Sequence, residues 1–165
     1  MKYLTDAPQA VLDFWQDFLS TKTGQDESFT TRFYEWFHFD DNEEDAMKWA
    51  AMALAGRKRG TASLLDSYIY FSKPLPNVGS LSIVTDWHSN PIAIIETTNI
   101  DIQTFANVSE EFAMIEGEGD GTLQWWRKSH WRYFQNEAKS FGFEFSHSTK
   151  IVCEQFKVIF KRGLF

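Results

Sequence analysis

Residues 81–102 place the strongest constraint on how this chain can fold. Leu81, Ile83 and Thr85 alternate with Ser82, Val84 and Asp86. That two-residue period sends successive side chains to opposite faces of a strand. His88-Ser89-Asn90-Pro91 then supplies turn chemistry. Residues 92–102 are rich in Ile and Thr, side chains that suit a pleated, packed surface. Two such runs across so short a turn predict an antiparallel hairpin. A further run at 151–160 sets Val152, Glu154, Phe156, Val158 and Phe160 on one side and predicts a last strand.

Helical signals surround these strands. Asp6 is placed to cap a helix starting at Ala7-Pro8, with Leu12, Trp15, Phe18 and Leu19 at helical spacing and Thr23-Gly24-Gln25-Asp26 as its end. Asp41 or Asn42 opens a second helix, with Glu43, Glu44 and Asp45 in its first turn, where the helix dipole favours anions. Ala46, Trp49, Ala50, Ala53 and Leu54 form its apolar face, and it delivers the chain to Gly56. Between the two, Phe29 to Phe39 is dense in aromatics and reads as a buried connector, with His38 packed rather than catalytic. Residues 63–71 fit either a helix or a strand, with Ser63 as a cap candidate that favours the helix, and residues 73–79 read as a turn-rich connector. Ser109 caps a short helix. Thr122 opens a long one to Phe141, with Leu123, Trp126, His130, Phe134, Ala138 and Phe141 on one face and Gly142 as its stop. Strands and helices mixed in this way predict a single α+β domain over residues 1–165, with 1–55 as an N-terminal helical extension.

At 165 residues, 43% hydrophobic and 24% charged, the chain can build a packed core and does not read as disordered. A net charge of −7 opposes tight non-specific binding to nucleic acid but leaves room for a local basic groove. The single cysteine, Cys153, excludes an internal disulfide and a cysteine metal cluster. Neither an apolar leader nor an apolar run of about 20 residues is visible, so a soluble, cytoplasmic protein with no membrane partner is expected.

Three stretches carry candidate chemistry. Gly56-Arg57-Lys58-Arg59-Gly60-Thr61 reads G-x-K-x-x-T. Basic neighbours disfavour a proton on Lys58, and a lysine so depressed acts as a base toward the Thr61 hydroxyl. The same residues also fit a basic helix C-terminus ended by glycine. Glu116-Gly117-Glu118-Gly119-Asp120-Gly121 fits a metal loop or a solvated acidic turn before a helix, but lacks the EF-hand ligand pattern. The four histidines have no HExxH or other zinc spacing, and Walker, GxSxG and dinucleotide glycine motifs are absent. Neither a metal nor a cofactor is expected. Residues 125–134 mix aromatics with cations, a combination that holds single-stranded bases by stacking and phosphate contact. Helical period assigns Trp126, His130 and Phe134 to a buried face, while Trp125, Trp131 and the basic residues fall elsewhere. Arg57, Trp125 and Arg127 are expected near a cleft mouth.

Six blocks taken in order carry a resemblance. They are Gly56-x-Lys58-x-x-Thr61-Ala62-Ser63-Leu64, Pro74-x-Pro76-x-Val78-Gly79, Pro91-Ile92-x-x-Ile95-Glu96-Thr97-Thr98, Phe112-Ala113-x-x-Glu116-Gly117-Glu118-Gly119-Asp120, Trp126-Arg127-x-x-His130 and Val152-Cys153-Glu154-x-Phe156. This order resembles the ASCH domain family from about Gly56 to Phe160, and the preceding helices resemble the N-terminal extension of one bacterial branch. The resemblance implies a PUA-like fold, a small mixed β-barrel with helices around it, and a cleft associated with RNA or nucleoside chemistry. Some relatives are amidohydrolases that remove the acetyl group of N(4)-acetylcytidine through a Lys, a Thr and a Glu. Lys58, Thr61 and Glu116 match those positions and are expected to converge on one pocket, the competing reading being a structural salt bridge between Glu116 and Lys58 that keeps the lysine charged. Other relatives are ribonucleases, or have an inferred RNA-binding role. The implied partners are a small nucleoside or nucleotide, or single-stranded RNA. Arg57, Ser63, Trp125, Trp126, Arg127 and His130 are the candidate ligand-binding residues. The chain departs from the small amidohydrolases in its extra N-terminal helices, its acidic glycine loop, and Ser63 where many members place an arginine.

Overall fold

Three short polar side chains set where helices begin. The structure is a computed structural model that describes residues 3–22 and 27–161. Asn42 accepts a hydrogen bond from the Asp45 amide and starts α2 (Glu43–Leu54), whose first turn holds Glu43, Glu44 and Asp45. Ser109 does the same for Phe112 in α4 (Glu110–Glu116), and Thr122 for Trp125 in α5 (Leu123–Phe141). Each cap satisfies one amide that the helix cannot pair internally. Gly142, at φ 82°, ends α5. The first helix departs from expectation. Asp6 lies in a 3-10 turn, Pro8 takes the cap position without a side-chain bond, and α1 runs Gln9–Ser20. The expected stop at Thr23-Gly24-Gln25-Asp26 lies outside the described residues.

The strands are β1 (Phe33–Phe37), β2 (Gly60–Leu64), β3 (Leu81–Thr85), β4 (Pro91–Thr104) and β5 (Lys150–Lys161). They form one sheet in the order β1-β3-β4-β5-β2. β3 and β4 make the expected antiparallel hairpin, with Ile83 opposite Ile94. β1 joins β3 in parallel, with Trp36 opposite Ile83. β2 joins β5 antiparallel, with Thr61 opposite Glu154 and Ser63 opposite Val152. The α+β class holds, but the sheet is open rather than the closed barrel expected. Closure needs the two edges to pair at a consistent tilt and stagger. Here β1 and β2 each have one partner and end the row.

Two strands fall where other structure is expected. β1 lies inside the aromatic run read as a connector, with Tyr34 and Trp36 buried and Phe33, Glu35 and Phe37 partly covered. A strand apolar on both faces hides its period of two. β2 occupies the start of the segment read as a helix, so α3 (Leu65–Tyr70) begins two residues after Ser63.

The chain packs as two compact units, and β4 and β5 contribute to both. Met1–Gly56, Pro76–Thr98 and Phe156–Phe165 form one. Its core gathers Val11, Phe14, Trp15 and Phe18 of α1 with Trp36, Leu81, Ile83 and Ile94. Arg57–Leu75 and Asn99–Gln155 form the other. Its core gathers Leu64, Phe105, Phe112, Trp126, Phe134, Ala138 and Ile151. Phe105 makes ring contacts with Trp126, Trp131, Phe134 and Phe145. Among the described residues, no helix is long and apolar enough to cross a membrane.

Phe134 is fully buried in the second core. Phe134→Ala is expected to cost about 3–5 kcal/mol, the scale for truncating a core phenylalanine. Asn42→Ala removes one cap and is expected to cost about 1 kcal/mol. Denaturant unfolding midpoints, read with the slope of each transition, check both values.

Candidate functional site

The segment before β2 alternates its side chains. Arg57 and Arg59 are exposed and Lys58 is buried between them. The Arg59 amide donates to the Ile115 carbonyl at 2.9 Å, which ties this segment to the end of α4. Glycine permits the approach. Gly117 ends α4 at φ +67°, and a Cβ there would stand 2.6 Å from the Arg57 carbonyl oxygen. Only a residue without Cβ accepts both the left-handed turn and the contact. Lys58 is thereby laid beside Glu116, the last residue of α4.

Lys58 is 1% exposed. Its Nζ donates to Glu116 Oε1 at 3.2 Å and to Glu118 Oε1 at 2.5 Å. Trp126 Nε1 donates to Glu116 Oε2. One turn further along α5, His130 stacks on the Trp126 ring with centroids 4.2 Å apart. His130 Nδ1 lies 3.0 Å from the Trp126 carbonyl oxygen. A carbonyl can only accept, so Nδ1 carries the hydrogen and donates it. Nε2 is left facing Glu116 Oε2 at 3.4 Å and Glu118 Oε2 at 4.0 Å.

Burial opposes the charge on Lys58, but Glu118 and then Glu116 outweigh it and raise the lysine pKa above its ordinary value. The flanking arginines suggest the reverse, a depressed lysine, whereas the competing reading of a Lys58–Glu116 pair agrees with the raised value. Those arginines face solvent while the lysine faces carboxylates. Burial also pushes Glu116 toward its neutral form, yet Lys58, His130 and the Trp126 hydrogen bond overcome it and lower its pKa. Burial dominates for Glu118, and the neighbouring Glu116 charge adds to it against the pull of Lys58, so its pKa is raised. The two neighbouring carboxyls are thus pushed in opposite directions, Glu116 down and Glu118 up. Nearby, burial and the Glu116 charge push the Cys153 thiol up to about 12, which makes it unreactive.

Oxygens of Glu116 and Glu118 and a nitrogen of His130 lie within 4.8 Å of one another, close enough to share a small cation. The Lys58 ammonium already rests on both carboxylates and is the positive charge this set is built around.

Of the sequence-derived residues, the fold brings Lys58, Glu116, Trp126 and His130 together. Thr61 and Ser63 stand on β2, half-buried, with no hydrogen bond to this cluster among the described residues. Trp126 is a buried hydrogen-bond donor whose ring is stacked on His130 rather than open to a base. Trp125 is half-buried and lies on the loop, where a Cβ on Gly119 would meet its indole at 2.1 Å. Arg57 and Arg127 are exposed, and Arg127 Nη2 donates to the Ala106 carbonyl at 2.9 Å. Sequence reasoning passed over Glu118. Of the acids in this run, read as a metal loop or a solvated turn, only Asp120 is exposed, while Glu116 and Glu118 are buried. The spacing Glu116-Gly117-Glu118 held the signal, since a left-handed glycine reverses the chain and returns the next carboxylate to the first.

An α+β domain with an open mixed sheet and a buried lysine–glutamate–histidine set defines the class of this protein. The chain belongs to the ASCH domain family, whose model matches residues 35–160. That span reaches back through α2 and most of β1, well before Gly56. The ASCH domain from Lactobacillus crispatus JV V101 is 33% identical, with a TM-score of 0.85 over 94% of this chain and 98% of that one. A protein from Enterococcus faecalis V583 is 34% identical, with a TM-score of 0.80 over 92% of this chain and 88% of that one. No curated protein matches the chain.

Lys58→Met leaves two buried carboxylates without their cation and is expected to cost about 3–5 kcal/mol at neutral pH. The sign with pH follows from Glu116. Its pKa is lowered in the folded state from an ordinary 4.5, so its contribution is present above that value and lost as pH falls toward the folded pKa. Lys58→Met removes the cause of that lowering. Parent and variant therefore converge in acid and separate most near neutrality. Calorimetric Tm values between about pH 4 and pH 8 check the trend.

Proposed function

We propose that this ASCH domain protein acts on RNA-derived nucleosides, as an amidohydrolase of acylated cytidine-type substrates. The observation that carries the reading is the burial of Lys58 among two glutamates and a histidine. Removing a lysine and two carboxylates from water costs several kcal/mol per ion. Perturbed groups gathered in this way concentrate at functional sites. Family membership supports an RNA or nucleoside context, and the G-x-K-x-x-T block supplies the lysine and threonine used by amidohydrolase relatives. The net charge of −7 favours a small nucleoside over a long polyanion.

In this reading Lys58 acts as an ammonium rather than a base. Its charge, carried to the Glu118–His130 edge through its bonds to the glutamates, favours negative charge developing on the amide carbonyl oxygen. Thr61 attacks that carbonyl or positions the water that does. Glu116 orients Lys58. Arg57, Trp125 and Arg127 offer cationic and aromatic surface for the base and sugar, and the protein works in the cytoplasm without a metal or cofactor.

One observation favours a second reading, a module that binds a nucleotide or single-stranded RNA without chemistry. Every buried side-chain polar atom among the described residues has a partner, so the ion-pair cluster is complete without a ligand. Hydrolysis assays on N(4)-acetylcytidine, beside gel shifts with single-stranded RNA, separate the two. Lys58→Ala, Thr61→Ala and Glu116→Ala are each expected to lower turnover by about a hundredfold or more. Thr61→Ala is the sharpest case, because it leaves the ion pairs intact. Shifted RNA with no turnover by the parent selects the binding module.

A further inference from the structure

The buried set is one proton short of neutrality. Lys58 brings one positive charge, and Glu116 and Glu118 bring two negative ones. A buried cluster with a surplus charge is costly, so the set holds a proton. His130 narrows its location. With Nδ1–H committed to the Trp126 carbonyl, Nε2 of a neutral ring would point a lone pair at the carboxylate oxygens 3.4 Å and 4.0 Å away. The proton therefore lies among Nε2 and these oxygens.

The two glutamates are not equivalent hosts. Glu116 closes α4, is 1% exposed, and has Lys58 on one oxygen and Trp126 on the other, with His130 beside it. Glu118 sits on the loop between left-handed Gly117 and Gly119. Its side chain is 10% exposed, as is that of His130, whereas Lys58 and Glu116 are each at 1%. Any ligand thus meets the cluster at the Glu118–His130 edge. The charged groups facing Glu118 are Lys58 from the segment before β2, Glu116 from α4 and His130 from α5, and burial together with Glu116 favours its protonated form.

We infer that Glu118 is the group that passes a proton to the ligand of this site, while Glu116 is the fixed counter-ion that positions Lys58. This rests on the amidohydrolase reading for its substrate. Water adds through its oxygen to the carbonyl carbon, the carbon–nitrogen bond breaks, and its electron pair goes to nitrogen. Nitrogen takes the proton of Glu118, and the attacking water returns one to the Glu118 carboxylate. An amide and water become an acid and an amine, and the site is restored. Trp125, laid on Gly119, covers the loop that carries Glu118.

Glu118→Gln and Glu116→Gln test the division. With N(4)-acetylcytidine, Glu118→Gln is expected to lower kcat by about a hundredfold, with KM and Tm near the parent's, and to remove the alkaline limb of the kcat–pH profile. Glu116→Gln is expected to lower Tm as well as turnover. Carbon-13 spectra of protein labelled at glutamate carboxyls supply a readout independent of turnover. The resonance lost in Glu118→Gln should titrate above the ordinary glutamate range, and the one lost in Glu116→Gln below it. Parental kcat in Glu118→Gln, or a Glu118 carboxyl that titrates as an ordinary exposed glutamate, overturns the inference. If the parent hydrolyses no nucleoside amide, the amidohydrolase reading falls and the carboxyl titration alone decides where the proton resides. If Glu118→Gln does not fold, Glu118→Asp assigns the resonance and the parental titration gives the same decision.

Discussion

A lysine ammonium sealed from water is the constraint around which the second unit is arranged. It is tolerable only with counter-charge at hydrogen-bond distance. Glu116 and Glu118 supply that charge, and each needs its own support. Trp126 and His130, one turn apart on α5, flank Glu116. Gly117 lets the lysine segment approach and turns the loop so that Glu118 comes back inward. The end of α4, the start of α5, the loop between them and the approach to β2 thus meet around a single buried positive charge. The same residues that stabilise the unit make up its candidate chemistry.

Much of this arrangement was legible before the structure. The β3–β4 hairpin showed its period and its turn. Asn42, Ser109 and Thr122 marked their helices because a cap is a local event, and Gly142 marked the end of α5 for the same reason. Less could be read where tertiary packing overrides local pattern. β1 pairs in parallel and is largely covered on both faces, so no alternation announces it. β2 is five residues with a glycine and a serine, too weak a pattern to compete with the helical residues after it. The sequence singled out Lys58 and Glu116, which the fold brings into contact, but the flanking arginines suggested the wrong sign for the lysine shift. Sequence neighbours suggested repulsion, whereas the decisive partners are 58 and 60 positions away.

The open sheet bears on how the site is presented. β2, which carries Thr61, is an edge strand with β5 as its one neighbour. Exposed edges invite pairing with other chains unless they are short or covered. This one is five residues long and is followed at once by α3.

The sequence separations within the charge cluster have a consequence for the order of assembly. Trp126 and Glu116 are 10 positions apart, joined through one loop, whereas Lys58 lies 58 positions from Glu116. Loop closure favours contacts near in sequence. The acidic half of the cluster can therefore gather by itself, with an excess of negative charge that bulk water or an extra proton must relieve. Docking of the lysine segment ends that state. Arrival of β2 at β5 is in this sense an ion exchange, in which one covalently tethered cation replaces solvent protons. A refolding rate of this unit that depends on pH is the expected consequence.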